Sequence, residues 1–279
     1  IINKVRTTKE MAADLERVSA YYEEHEEWLK GLRRFRLKEI LRIGTRDICL
    51  KVPERDIIEE LSNLAESILQ TVLKRTEDAF LTDEEKEVYR FCILAFGKLV
   101  VKELNYSSDI DLIGVYDPLP LPEYNGETVK NKCSRLMERL RSDLSTYSDE
   151  GYVYRVDLRL RPFGRSGDIV SSLETLLHYY IHQAALWEIQ ALLKLRPIAG
   201  EIATGNRFLE QIKPMLLKKR VPEEVFGSII TMREQAQKRK QSGLSSGMDV
   251  KNGEGGIRDI EFLVQGLQLV YLYQHPTLF

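Results

Sequence analysis

The stretch from Phe91 to Asp117, FCILAFGKLVVKELNYSSDIDLIGVYD, constrains this chain more than any other. An apolar segment, Phe91 to Phe96, runs into Gly97-Lys98. A second apolar segment, Ile110 to Tyr116, has Asp109 and Asp111 at its beginning. Strand side chains alternate faces with period two, so the pattern predicts Asp109 and Asp111 on one face and Ile110 and Leu112 on the other. Two neighbouring carboxylates repel each other, and such a pair is stable mainly with a cation between them. Hard divalent ions such as magnesium, or manganese in its place, take oxygen ligands of this kind. Their remaining positions can hold phosphates. The pattern points to metal-assisted chemistry at phosphorus.

A second segment, Tyr152 to Pro162 (YVYRVDLRLRP), alternates almost throughout. It predicts a strand with Val153, Arg155, Asp157, Arg159 and Arg161 on one face. Tyr154, Val156, Leu158 and Leu160 make the apolar core face. The polar face sets one carboxylate among three guanidinium groups, whose planar forks match phosphate oxygens. If this strand lies beside the Asp109 strand, three carboxylates and a bank of arginines share one cleft. Two metal ions and a nucleotide phosphate would need such a set.

A glycine turn, then Asp-x-Asp on a strand, then a lone Asp on a later strand resembles the nucleotidyltransferase superfamily, with its polymerase-beta-like fold. The wording GKL..KELNYSSDIDLI, VYRVDLRLRPFGRSG, LWEIQALLKLRPIAGE and GGIRDIEFLVQ is similar to the glutamine synthetase adenylyltransferase/deadenylylases, from about Leu32 onward. That resemblance implies an α+β fold: a nucleotidyltransferase core with a small mixed sheet, flanked by helical regions. It implies glutamine synthetase as protein substrate, ATP or ADP and phosphate as small ligands, and a PII-type signal protein as regulator. GRSG (164–167), LLKLRPIAG (192–200) and GGIRDIEF (255–262) look more like the amino-terminal, deadenylylating half. Two positions depart from the family. Val100 and Val101 stand where paired glycines are usual, which makes close backbone approach and positive φ less accessible. Ile189 stands where arginine commonly follows Trp-Glu.

The resemblance assigns Asp109, Asp111 and Asp157 as catalytic metal ligands. Gly97, Lys98, Ser108, Arg159, Arg161, Lys194 and Arg196 fall at nucleotide- or phosphate-binding places. Ser107 and Ser108 either donate to phosphate or shape their turn. Arg258, Asp259 and Glu261 open a predicted helix, whose free N–H groups can orient an anionic substrate; the acidic pair can equally serve the helix dipole. The implied reaction is in-line displacement at the AMP phosphorus, with phosphate attacking an adenylylated tyrosine of glutamine synthetase to give ADP. Two alternatives stay open: transfer of AMP from ATP to that tyrosine, and a non-catalytic regulatory module.

Composition narrows the partners. A net charge of −2 over 279 residues lacks the basic excess of a nucleic-acid binder. No apolar run reaches the length of a membrane span and no signal peptide is visible, so a cytoplasmic protein is expected. A chain opening on Ile-Ile-Asn is expected to be a fragment. Cys49, Cys92 and Cys133 have no short spacing and read as reduced cysteines. His178 and His182 share a helix face, but a zinc pair needs further ligands, and Tyr179 and Tyr180 sit between them.

The pattern predicts three regions: helices over residues 1–90, the mixed core over 91–200 and helices again over 201–279. Met11, Leu15, Val18 and Tyr22, then Leu29, Leu32, Phe35, Leu37 and Leu41, recur at helical spacing. Arg33, Arg34 and Arg36 read as a solvated helix face. Pro53 opens a helix, DPLPLPEYNG is a loop, and residues 127–147 are a helix. One helix is expected from about Leu173 to Leu193, capped by Ser171 or Ser172. Pro222 starts a long helix, and a glycine-rich link (242–256) precedes the last one.

Overall fold

The computed structural model describes residues 4–122, 124–240, 250, 251 and 253–278. Among these lie ten α-helices and five strands. The chain divides into two compact units. The first comprises Ile1–Leu176 and Lys194–Arg207, and the second Leu177–Leu193 and Phe208–Phe279.

In the first unit, α1 (Thr8–Tyr21), α2 (His25–Leu50), α3 (Glu54–Phe80) and α4 (Asp83–Tyr89) precede the sheet. The predicted helical start is therefore present. Thr7 caps α1 and Thr82 caps α4, each in a reciprocal box with the glutamate three residues on. Pro53 stands just ahead of α3. The strands are β1 (Cys92–Phe96), β2 (Ile110–Tyr116), β3 (Val156–Asp157), β4 (Val170–Ser172) and β5 (Leu195–Gly200). They run in the order β3-β2-β1-β5, with β4 also pairing β2. β1 is antiparallel to β2 and β5, whereas β3 and β4 lie parallel to β2. Helix α5 (Gly126–Ser145) follows the proline-rich loop and packs on α3 and on β2. Ile93, Ala95, Ile110 and Leu112 join Leu64, Ile68, Leu136 and Leu140 in one buried core. Burying such aliphatic side chains contributes about 1.5–3 kcal/mol each.

Several expectations need correction. Tyr152–Pro162 is not one strand, because only Val156 and Asp157 pair with β2. Val153 and Tyr154 are both buried, which strict alternation forbids, and Tyr154 lies beneath the Arg36 guanidinium at 4.8 Å. Beyond Asp157 the chain turns back on itself, and Arg161 bonds to the Leu158 carbonyl. The arginines of α2 are not simply solvated. Arg33 is buried and donates to the Thr146 carbonyl, Arg36 stacks on tyrosine, and Arg34 alone faces outward to pair with Glu150. Leu37 and Leu41, which keep the helical spacing, are nevertheless 60% and 71% exposed. Strands β4 and β5 were not foreseen. β5 carries Pro197, which an edge strand tolerates because the missing N–H leaves no unpaired partner inside the sheet.

The expected helix 173–193 is two helices, α6 (Leu173–His182) and α7 (Leu186–Ala191). The N–H groups of Gln183 and Ala184 both return to the Tyr179 carbonyl and end α6. Ser172 caps α6 by accepting the Thr175 N–H, as expected, and Glu188 accepts the Ala185 N–H ahead of α7. α8 runs from Ile202 to Leu216, α9 from Pro222 to Lys240 and α10 from Ile257 to Tyr271. In the second unit Val225, Ile229, Leu269 and Val270 form a small core. Ile189 packs against it, which accounts for an apolar residue after Trp187-Glu188. A Cβ at Gly266 would lie 2.7 Å from Ile229, so α10 approaches α9 closely there. The glycine-rich link lies largely outside the described residues.

Candidate active site

The sheet brings Asp111 and Asp157 side by side. They are register partners in the parallel β2–β3 pair, and partners at one register share a face. Phe96 pairs with Asp111 from the other side, and Gly97 follows it at φ +64. A Cβ on Gly97 would lie 3.5 Å from Asp111 Oδ2, so the turn is bare backbone beside this carboxylate. The valines that depart from the family fit this turn. Positive φ falls on Gly97 and Lys102, while Val100 is right-handed at φ −66. Lys98 lies in the same 3₁₀ turn and its carbonyl accepts the Glu103 N–H.

Asp109 does not sit in the strand. β2 begins at Ile110, whose N–H donates to the Arg155 carbonyl at 2.9 Å. Arg155 Nε donates to Asp109, and its other nitrogens reach the Ser107 carbonyl at 2.6 Å and the Tyr152 hydroxyl at 2.9 Å. Ser108 shapes its turn, its hydroxyl accepting the Asn105 N–H at 3.1 Å. Asp157 is 13% exposed and receives three donors from Arg159: the backbone N–H at 2.8 Å, Nε at 2.7 Å, and Nη2. Burial alone would raise the Asp157 pKa. The hydrogen bonds and charge of Arg159 overcome it and hold the carboxyl below its ordinary value. The Arg159 guanidinium is held above its usual value by Asp157 first, with Asp111 and Asp109 contributing. The three aspartates thus act on one guanidinium.

Asp109 and Asp157 line a cavity of about 530 Å³ with Arg155, Arg159 and Arg161, whereas Asp111, the third carboxylate expected there, is not part of its lining. Two further arginines line it, Arg141 of α5 and Arg165 in the loop after Asp157. Neither was singled out from the sequence. Arg165 stands inside the GRSG wording, but Arg141 lies on an amphipathic helix and gave no local signal. Arg161 spends its guanidinium on three carbonyls: Leu158 at 2.8 Å, Arg165 at 3.1 Å and Gly167 at 3.2 Å.

Arg196 is not brought to this cleft. It pairs in register with Ala95, whose other partner is Leu112, and both belong to the helix-covered core face. Arg196 accordingly meets Glu66 of α3 at 2.8 and 3.2 Å. Lys194 precedes β5 in the first unit. Arg258, Asp259 and Glu261 belong to the second unit. There Asp259 accepts two bonds from Arg233 at 2.7 Å and the Gly255 N–H at 2.9 Å, stitching α9 to the start of α10. Arg258 lies 5.9 Å over the Phe262 ring. The His178 and His182 rings lie 4.8 Å apart with their planes tilted by 47°.

The donor chemistry of the three aspartates suits a hard divalent cation. Their placement is less complete, for among the described residues no three acidic, histidine or cysteine side chains are gathered to hold a metal. Guanidinium groups stand in for a cation instead, Arg155 at Asp109 and Arg159 at Asp157. Arg159 is 62% exposed. Burial raises the thiols of Cys92 and Cys133 to about 12, so neither is a ready ligand. No helix among the described residues is long and apolar enough to cross a membrane.

A small mixed sheet packed against helices, with paired aspartates beside a glycine turn, is consistent with a nucleotidyltransferase-like core. Residues 1–211 match the family model described as glutamate-ammonia ligase adenylyltransferase, and the chain belongs to that family. Residues 226–278 match a second model, GlnD PII-uridylyltransferase. Among curated relatives, the chain is 33% identical over 93% of its length to an enzyme of Methylococcus capsulatus. It is 34% identical over 96% of its length to one of Thioalkalivibrio sulfidiphilus, and 38% over 67% to one of Rhizobium meliloti. All three are named bifunctional glutamine synthetase adenylyltransferase/adenylyl-removing enzyme. The chain spans 28% of the length of the first two.

Proposed function

We propose that this chain removes AMP from a tyrosine of glutamine synthetase by phosphorolysis, releasing ADP. The observation that carries this reading is the β2–β3 pairing, which sets Asp111 beside Asp157 at the edge of an arginine-lined cavity. Asp109, Asp111 and Asp157 would hold magnesium or manganese, which supplies charge neutralisation at the phosphorus and activates the attacking oxygen. Gly97 leaves room for a phosphate to approach the backbone, and Lys98 in the same turn supplies charge. Arg155 and Arg159, now paired with Asp109 and Asp157, would be the groups to meet phosphate oxygens once those carboxylates were engaged elsewhere. Their forks then offset the repulsion between the AMP phosphate and the incoming phosphate, an electrostatic task done by preset groups.

The arginines would serve either direction, since the pyrophosphate of ATP draws on similar charges; the wording GRSG (164–167) and LLKLRPIAG (192–200) supports AMP removal over AMP transfer from ATP. A PII-type signal protein is the proposed regulator, supported by the resemblance of residues 226–278 to a PII-modifying family. The test is to incubate the chain with adenylylated glutamine synthetase, magnesium and phosphate, and measure ADP. Labelling of unmodified glutamine synthetase from ATP, with no response to phosphate, would reverse the assignment.

A further inference from the structure

Arg141 and Arg165 have no task in the reading above, yet both line the same cavity. Neither belongs to an ion pair among the described residues. Their charges are felt nonetheless. Arg165 acts on Asp157, and Arg161 is lowered by burial first and by the charge of Arg141 second. Like charges gathered at a partly enclosed place cost free energy until an anion joins them.

The loop that carries Arg165 is fixed at some cost. Phe163 and Gly164 are both left-handed, at φ +59, and Phe163 pays for this with its Cβ. A Cβ at Gly167 would fall 1.9 Å from the Pro162 carbonyl oxygen. The Arg161 guanidinium clamps three carbonyls of the turn, so its own charge is spent on shape. A loop bent, strained and clamped in this way sets one free guanidinium, Arg165, at the cavity wall. Arg141 comes from α5, a rigid helix of 20 residues.

Position identifies the ligand class. Asp157 touches both places: it neighbours Asp111 across the sheet and also lines the cavity, whereas Asp111 and Gly97 do not line it. In-line displacement sets the attacking and leaving oxygens on opposite sides of the phosphorus. An AMP phosphorus held at the Asp111–Asp157 edge therefore has this cavity to one side, and the group bound there is a polyanionic oxyanion.

We propose that Arg141 and Arg165 form the subsite for the acceptor orthophosphate. The same chemistry would hold the pyrophosphate part of ATP if the reaction ran the other way. The inference rests on the nucleotidyl-transfer reading. In the step it serves, an oxygen of hydrogen phosphate forms a bond to the AMP phosphorus as the bond from phosphorus to the tyrosine oxygen breaks. The tyrosine oxygen leaves with the electron pair and takes the proton of the hydrogen phosphate, giving ADP and free tyrosine.

The test uses Arg141→Gln and Arg165→Gln, both exposed and checked for folding by circular dichroism, with Arg165→Lys as the variant that keeps charge without the fork. Orthophosphate and pyrophosphate binding is measured directly by calorimetric titration with magnesium, and KM for phosphate is measured during ADP release. Each Gln variant is expected to weaken orthophosphate binding and raise that KM by about tenfold or more, with kcat changed far less. Arg165→Lys should fall between. Loss of pyrophosphate binding alone, with orthophosphate unaffected, would assign the subsite to ATP and overturn the acceptor role. Wild-type affinities in both Gln variants, or no binding of either anion by the wild type, would overturn the subsite. If the variants lose orthophosphate binding but the wild type makes no ADP, the subsite stands and the proposed direction falls. If ADP forms with an unchanged KM in both variants, the direction stands and the subsite falls.

Discussion

Replacing Gly167 with alanine should damage the cleft more than any comparable change in the loop. The added Cβ would stand 1.9 Å from the Pro162 carbonyl oxygen, 3.0 Å from its carbon and 3.2 Å from the Phe163 Cβ. The first contact is with backbone, so no side chain can turn away; the loop must open by more than an ångström. Overpacking of this kind costs about 1–3 kcal/mol, with the lower end expected for a surface loop that can relax. Opening pulls the Gly167 carbonyl from Arg161 Nε, now 3.2 Å away, and releases the clamp that sets Arg165. Two glycines calibrate the result. Gly164 at φ +59 has 3.7 Å to its nearest neighbour, the Arg159 carbonyl, so alanine there meets no clash. It pays only the left-handed cost, about 1 kcal/mol. Gly126 opens α5 with nothing within 4 Å, and alanine there should be neutral or stabilise by about 0.5 kcal/mol. Urea denaturation gives the stabilities, and calorimetric titration gives the orthophosphate affinity. Gly167→Ala should lower both, with affinity falling about tenfold. Wild-type stability and affinity in Gly167→Ala would refute the clamped loop.

Asp111→Asn should cost about a thousandfold in ADP release, roughly 4 kcal/mol of barrier, and leave the urea midpoint nearly unchanged; wild-type turnover at limiting magnesium would remove Asp111 from the mechanism. Burial raises the Glu77 pKa to about 7, against a smaller pull from Lys86 and with a push from Asp78. Between its unfolded value near 4.5 and about 7 the folded state keeps a proton that the unfolded chain gives up, so this contribution to stability is lost as pH rises through that window. The loss is about 3 kcal/mol at most, and Glu77→Gln should flatten the pH profile and exceed the wild type in stability at pH 8. Arg196→Gln should cost about 1 kcal/mol of stability through the lost fork to Glu66 while leaving KM for phosphate unchanged; a raised KM would place Arg196 at the cleft after all.

Much of this site was legible in the chain because strands write their faces with period two. Alternation placed Asp111 and Asp157 each on a polar strand face and helical spacing gave the helices before Phe91, while the pairing of the two strands was only a condition in the sequence and is supplied by the sheet. The same rule misled at Tyr152–Pro162. Its alternating letters describe a strand, yet the backbone turns after Asp157 because Arg159 and Arg161 bond locally to Asp157 and Leu158. Local side-chain bonds of this kind compete with a strand ladder and leave no trace in the hydrophobic pattern. Arg141 was invisible for another reason. Its role at the cavity depends on where α5 packs, and tertiary placement is not encoded at residue 141 itself. Leu37 and Leu41 show the limit of apolar spacing, which marks a stripe without saying what covers it.

The central claim is that this cleft moves AMP from glutamine synthetase onto phosphate. It is tested most directly by giving the chain adenylylated glutamine synthetase carrying labelled AMP, with magnesium, and varying orthophosphate. The account predicts labelled ADP that appears in proportion to phosphate at low concentration, saturates, and is nearly abolished in Asp111→Asn. No ADP at any phosphate concentration, or AMP incorporation from ATP into unmodified glutamine synthetase in its place, would contradict it.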